Sequence, residues 1–228
     1  MERNKFRHEL KYHINLADYY SMRSRLNYIT RLDSHAGPSG KYKVRSLYLD
    51  NFDNKALMEK INGLNEREKF RIRYYNDNPL FIKMEKKSKF NGLCTKSATV
   101  VSKEQVERLF LGDLGWMLET ENPLLVELYA KMKYQVLRPK TVVDYYREAY
   151  LYLPGNVRIT FDSQVRSGLY CLDFFNPDLP TLSAADKGGI ILEVKFDEFL
   201  PEPIRDLIQT NERQSTAISK YAACRKFF

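Results

Sequence analysis

The chain has 228 residues, 43% hydrophobic and 13% aromatic, a composition that fits a globular protein and excludes an intrinsically disordered one. Its 37 Lys and Arg against 29 Asp and Glu give a net charge of +8 and an isoelectric point near 9.2, which favours anionic partners. No apolar run approaches the length of a membrane span, and the charged start "MERNKFRHELKY" lacks a signal-peptide core.

A soluble, cytoplasmic protein is therefore expected, with a membrane partner left open. Cys94, Cys171 and Cys224 are odd in number, far apart and in no CxxC spacing, which fits a reduced setting. His8, His13 and His35 are too scattered for a His-based zinc site. No internal repeat or low-complexity linker interrupts residues 1–228, so one domain is expected.

In chain order, "FRHELKYHI" alternates as a strand. Asn15, with Asp18 three residues later, opens the helix "LADYYSMRSRLNYI" through a capping-box arrangement. "KYKVRSLYLDN" is a strand of mixed faces, and "NKALMEKI" is a short helix. Three strands follow, "EKFRIRYY", "LFIKMEKKS" and "LCTKSATVV", joined by the turn sequences "NDNP" and "KFNG". Ser102 and Gln105 start the helix "KEQVERLFL", and Pro123 begins "PLLVELYAKMKY". The strands "KTVVDYYREAYLYL" and "NVRITFDSQV" form a hairpin through "PGN", and "GIILEVKFD" is the last strand. "EPIRDLIQ" and "STAISKYAACRKF" close the chain as helices. About eight mostly antiparallel strands with interspersed helices give the class α+β, and a closed or nearly closed barrel is expected.

Alternation sorts each strand into an apolar and a polar face. The polar faces carry Arg7, Lys11, Arg71, Arg73, Lys83, Lys87, Lys96, Arg147, Arg158 and Lys195, ten cations against the four carboxylates Glu9, Glu85, Asp162 and Glu193. A solvated sheet face gains from mixed signs, and like charges on neighbouring strands repel, so this face needs a compensating partner. If the sheet curls so that the face points inward, the interior is a basic channel for a polyanion. Arg forks match phosphate oxygens, Lys supplies point charges, and the few carboxylates could hold a divalent cation.

These residues resemble the triphosphate tunnel metalloenzymes, and within them the VTC (vacuolar transporter chaperone) polyphosphate polymerase domain. The likeness rests on an ordered series of motifs over roughly residues 5 to 228. They are "ELKY" with Lys11, "FRIRYY" with Arg71 and Arg73, "MEKKSK" with Lys87, and "CTKSAT" with Lys96. The series continues with "DYYREAY" and Arg147, "LPGNVRITFD" with Arg158, "ILEVKF" with Glu193, and "ISKYAACRKF" with Ser219 and Lys220.

The resemblance implies an eight-stranded antiparallel tunnel with a basic interior, flanked and capped by helices. It further implies ATP and inorganic polyphosphate or triphosphate as partners, Mn²⁺ or Mg²⁺ on Glu193, and a C-terminal helix that plugs or lines one end. The catalytic set it implies is Lys11, Arg71, Arg73, Lys87, Lys96, Arg147, Arg158 and Lys220. Arg7, Lys83, Lys195, Ser219, Glu9 and Glu85 complete the substrate-binding wall, with Glu9 and Glu85 the more natural charge balancers. Hydrolytic and cyclase relatives are similar but open with Glu-x-Glu-x-Lys, where this chain has Arg7, Glu9 and Lys11; that favours the VTC branch. Three activities fit such walls: a polyphosphate polymerase, a hydrolase of tripolyphosphate or nucleoside triphosphates, and a polyphosphate-binding module without catalysis. Nucleic acid is not expected, because no recognition helix and no RNP- or KH-like motif accompanies the charge.

Overall fold

A computed structural model of the protein describes residues 6–169, 173–184, 189–209 and 214–225. In chain order its elements are β1 (His8–Ile14), α1 (Leu16–Ile29), β2 (Arg31–Leu32), β3 (Tyr42–Asp50), α2 (Lys55–Ile61) and β4 (Arg67–Tyr75). Next come β5 (Asn78–Phe90), β6 (Leu93–Val101), α3 (Lys103–Phe110), α4 (Trp116–Glu119), α5 (Pro123–Tyr134) and β7 (Arg138–Tyr152). The chain closes with β8 (Val157–Leu169), β9 (Leu182–Ser183), β10 (Ile190–Phe196), α6 (Glu202–Ile208) and α7 (Lys220–Arg225).

Local chemistry explains most boundaries. Both capping boxes form: Asn15 with Asp18 at α1, and Ser102 with Gln105 at α3. The "NDNP" and "KFNG" joints turn through left-handed backbone, at Asn76 and Asp77 (φ 52° each) and at Asn91 and Gly92 (φ 45° and 85°). In the β7–β8 joint Gly155 has φ 69°, and a Cβ there would lie 2.9 Å from the Phe199 carbonyl oxygen. The closing helix begins later than the sequence pattern suggests, at Lys220, and Lys226 and Phe227 of the expected helix lie outside the described residues. Thr216 N–H donates to the Lys11 carbonyl at 2.8 Å, which ties the segment before Ser219 to β1. Ser219 Oγ then accepts from Ala222 N–H at 3.3 Å as α7 begins.

The eight long strands form one antiparallel sheet in the order β1-β10-β8-β7-β3-β4-β5-β6, with β2 beside β7 and β9 beside β8. The sheet curls until its two edges touch: Arg7 and Cys94 exchange both backbone hydrogen bonds, at 3.1 and 3.2 Å. The class is α+β, a curled antiparallel sheet flanked by helices.

Apolar faces point outward. Ile72, Ile82 and Met84 pack under α3 and α5 through Val106, Leu125 and Leu128, while Ile159, Leu192 and Val194 pack under α1 and α6 through Leu26 and Ile204. Each fully buried aliphatic side chain here contributes about 1.5–3 kcal/mol. A third cluster lies at the end of the barrel, where Tyr221 and Cys224 of α7 meet Tyr48, Tyr145 and Val165. Helices cover the outside, so the charged faces are left to the inside.

Cys94 and Cys224 are free thiols, and Cys171 lies outside the described residues. Among the described residues no helix is long and apolar enough to cross a membrane.

Candidate functional site

The inward faces enclose a cavity of about 760 Å³. Strand parity puts the charges there, and the registers align them. Tyr48, Arg71 and Glu85 form one row across β3, β4 and β5; Ser46, Arg73 and Lys83 form the next. Lys69, Lys87 and Lys96 make a third row across β4, β5 and β6. Opposite them, Lys11, Glu193 and Thr160 line up across β1, β10 and β8.

Arg7, Glu9, Lys11, Arg71, Arg73, Lys83, Lys87, Lys96, Arg147, Arg158, Glu193, Lys195, Ser219 and Lys220 all line this cavity. Glu85 does not. It is 1% exposed and lies beneath the wall, with Lys96 at 2.5 Å, Arg71 at 2.7 Å and Arg73 at 3.9 Å. A carboxylate so placed can orient the three cations around it.

Few carboxylates hold many cations. Glu9 pairs with Lys11 at 2.6 Å and with Lys87. Asp162, 0% exposed, accepts from Arg147 Nε and Nη2 at 2.6 and 2.7 Å and pairs with Lys220 at 2.5 Å. Glu193 pairs with Lys195 at 2.9 Å and has Arg147 and Lys220 each at 3.9 Å. Arg158 pairs with Asp33 and donates to Tyr42 Oη at 3.1 Å, and Arg7 meets Asp197 at 3.0 Å. Each shared carboxylate fixes two or three cations without neutralising them all, so the wall stays positive and preorganised.

The titration behaviour follows. Burial and Glu193 push the Glu9 carboxyl up, but Lys11, Lys87 and Lys195 bring it down to about 2. Burial likewise opposes ionisation of Asp162, which Arg147 and Lys220 hold at about 2. Glu193 sits well below the usual carboxylate range: burial resists, and Lys195, Lys11 and Lys220 prevail. On the cationic side, burial together with Arg71 and Arg73 brings Lys96 down to about 8, against the pull of Glu85.

Several cavity residues escaped the sequence reading. Tyr145 is a platform: Lys220, Arg147 and Arg73 lie 5.0, 5.3 and 6.0 Å from its ring, and Arg73 Nη2 donates to its hydroxyl at 3.1 Å. Tyr48 accepts from Arg71 Nη1 at 3.0 Å and stacks on Tyr221. Lys69 has the same strand parity as Arg71 and Arg73, and that parity was the signal available for it. A second chamber of about 250 Å³ adjoins the first, and Glu9, Lys11, Lys69, Lys87, Cys94 and Ser219 line both. Lys60, Arg67 and Lys89 line the second chamber and not the first.

The sequence model of the VTC domain matches residues 6–228. The chain belongs to the VTC domain family. No curated protein sequence matches it. Among solved structures, this VTC domain is similar to a putative adenylyl cyclase, HpAC1, from Hippeastrum, whose description reports a dominant triphosphatase activity. The TM-score is 0.57 at 12% identity, over 97% of this chain and 96% of that one. It is also similar to the PH1819 protein from Pyrococcus horikoshii OT3, with a TM-score of 0.50 at 13% identity over 96% of this chain and 97% of that one. At such identities the likeness establishes the fold, that of the triphosphate tunnel proteins.

That fold family implies a divalent metal, and the donor set can be tested against it. Among the described residues no three acidic, His or Cys side chains cluster as a metal cage. Glu193 is 5% exposed on the cavity wall, and the hydroxyl of Thr160, directly opposite it on the ladder, is buried with no hydrogen-bond partner among the described residues. One carboxylate and a spare hydroxyl suit a hard cation that takes its remaining oxygens from phosphate and water. The residues fit a cation that arrives with its substrate.

Proposed function

We propose that this VTC domain, acting as one unit over residues 1–228 in the cytoplasm, transfers the terminal phosphoryl group of ATP to inorganic polyphosphate. The observation that carries the reading is the two-chamber passage. The Arg-rich first chamber suits a triphosphate, and the second continues the basic wall through Lys60, Arg67 and Lys89, farther than a lone triphosphate needs.

Arg71, Arg73, Arg147 and Arg158 grip the non-bridging oxygens as forks, while Lys11, Lys87, Lys96 and Lys220 add point charges. Arg7, Lys83, Lys195 and Ser219 extend the wall that holds the chain, with Glu9 balancing charge within it. A terminal oxygen of polyphosphate forms a new bond to the γ-phosphorus. The bond from that phosphorus to the β–γ bridging oxygen breaks, and its electron pair leaves with ADP. Little covalent chemistry is required of the protein, because positioning and neutralisation of the equatorial oxygens lower the barrier. Glu193 would hold Mn²⁺ or Mg²⁺, which when bound withdraws charge from the reacting phosphates.

Hydrolysis is the second reading, favoured by the triphosphatase activity reported for the Hippeastrum protein. The same walls would serve it, with water as acceptor. Incubation with ATP and Mn²⁺ separates the readings: long-chain polyphosphate with ADP supports the polymerase, and orthophosphate alone supports the hydrolase. Polyphosphate binding with ATP left intact would reduce the domain to a binding module.

A further inference from the structure

We propose that Lys69 is a further phosphate-binding residue, which with the directly opposed Lys87 grips one phosphate of a chain where the two chambers meet. This rests on the reading of the tunnel as a polyphosphate site and names a contact within it.

Three observations converge on Lys69. It lines both chambers, so a chain passing from one to the other must pass it. It stands directly opposite Lys87 on the β4–β5 ladder, and Lys87 stands opposite Lys96 on the β5–β6 ladder. Like charges in such a row repel, and the row is offset unevenly. Glu9 takes Lys87 and Glu85 takes Lys96, whereas Lys69 has no carboxylate partner among the described residues. Its ammonium lies 5.5 Å from the ring centre of Tyr48 instead. A phosphate between Lys69 and Lys87 removes the repulsion and supplies the missing anion.

The charges around Lys69 set how it binds. It faces Tyr48 on β3, Lys87 on β5, Lys11 on β1 and Arg71 on its own strand. Burial is the largest influence on its ammonium and acts with Lys87, Lys11 and Arg71, against Tyr48, to bring it down to about 7. An arriving phosphate favours the charged form, so at mildly alkaline pH binding draws a proton onto Lys69. Tyr48 also lies near 7, because Arg71, Lys69 and Arg73 overcome the effect of burial. It would take up a proton too.

The test is calorimetry on the full chain at mildly alkaline pH, in two buffers of different ionisation enthalpy. Tripolyphosphate and a long inorganic polyphosphate are the ligands, and Tyr48→Phe is the background that removes the tyrosine's share of the proton uptake. Burial and neighbouring cations also lower Lys87 and bring Lys96 to about 8, so both add uptake of their own and Lys69 is read as the difference between variants. Adding Lys69→Met should weaken binding of the long chain about tenfold and lower the uptake, with the melting temperature unchanged or raised. Lys69→Arg, always charged, should retain most of the affinity with the same reduction in uptake. Unchanged affinity and uptake in Lys69→Met overturns the proposal and leaves the tunnel's phosphate reading standing. Should Lys69→Met not fold, an uptake in Lys69→Arg equal to that of the background overturns it equally. Failure of the unsubstituted chain to bind either anion overturns the tunnel reading itself, and the proposal with it.

Discussion

Arg147 and Asp162 meet directly across the β7–β8 ladder in a two-point contact of 2.6 and 2.7 Å, and Lys220 of α7 reaches the same carboxylate at 2.5 Å. The pair therefore joins the sheet to the helix that enters the end of the barrel. It also aims the guanidinium: both N–H groups bonded to Asp162 are fixed, and the remaining three can face the cavity. Asp162 is accordingly placed to position two cations of the cavity wall.

Asp162→Asn tests that role. It leaves two wall cations without their shared carboxylate, and breaking a buried pair costs about 3–5 kcal/mol. The ligand-free protein should melt on the order of 10 °C lower. Tripolyphosphate replaces the missing negative charge, so its stabilising shift should exceed that of the unsubstituted chain. Thermal unfolding with and without tripolyphosphate reads both effects, and an equal ligand shift in the two proteins would remove Asp162 from this role.

Arg73 gives the second prediction. Its Nε donates to Ser46 Oγ at 2.8 Å and its Nη2 to Tyr145 Oη at 3.1 Å, which leaves donors for an anion on a side chain only 4% exposed. Arg73→Ala should weaken ATP and tripolyphosphate alike, by roughly 1.5–3 kcal/mol or one to two decades of affinity. Binding should also weaken as salt rises. Calorimetry at two ionic strengths decides it, and an unchanged affinity places Arg73 outside the site.

Much of this wall was legible because alternation is rigid: once Phe70, Ile72 and Tyr74 are assigned outward, Arg71 and Arg73 have nowhere else to point. The same rule covered Lys69, which lies two residues before Arg71. Strand β3 was opaque for a physical reason. It is buried on both faces, with Leu47 and Leu49 outward and Ser46 and Tyr48 inward, so no polar alternation marks it. Arg45 even lies on the outward side, buried against Asp144 at 2.8 Å. Strand β8 defeats parity differently. A bulge at Gln164, with φ 53°, shifts the register so that Val165 joins Tyr145 inside, although Arg158 and Asp162 were inward by even numbering. The passage into a second chamber is made by β1, β4, β5 and the segment before α7 together, and no single stretch of sequence announces it.

The depressed carboxyls predict an acid limit. Glu9 and Asp162 ionise at about 2 in the folded chain, below the roughly 4 of an unfolded one. A group with a lowered folded value binds fewer protons when folded. Its stabilisation is complete above the unfolded value and is lost as pH falls toward the folded one. Unfolding free energy should thus be flat from neutral pH down to about 5, then decline steeply toward pH 2. Denaturant titrations across that range check it, and stability independent of pH between 4 and 2 would mean that the pairs do not persist in solution.

The last prediction is that Glu193 separates binding from chemistry. It lies among Lys195, Lys11 and Lys220, where a carboxylate that did nothing further would only diminish the wall's attraction for phosphate. Its place on the ladder between Lys11 and Thr160 is intelligible if it holds a divalent cation that would withdraw charge from the reacting phosphates. Glu193→Gln keeps the shape and removes one negative charge. Metal-free tripolyphosphate binding should then be unchanged or tighter, because the anion loses a repulsive neighbour. Metal-dependent release of ADP from ATP should fall at least about a hundredfold, equivalent to roughly 2.7 kcal/mol of transition-state stabilisation. Calorimetry and ADP release on one preparation measure the two quantities side by side. A general structural role would depress both together, whereas a metal-holding role moves them in opposite directions. Near-normal turnover in the Gln variant would detach Glu193 from the metal and leave phosphoryl transfer to the cations of the wall alone.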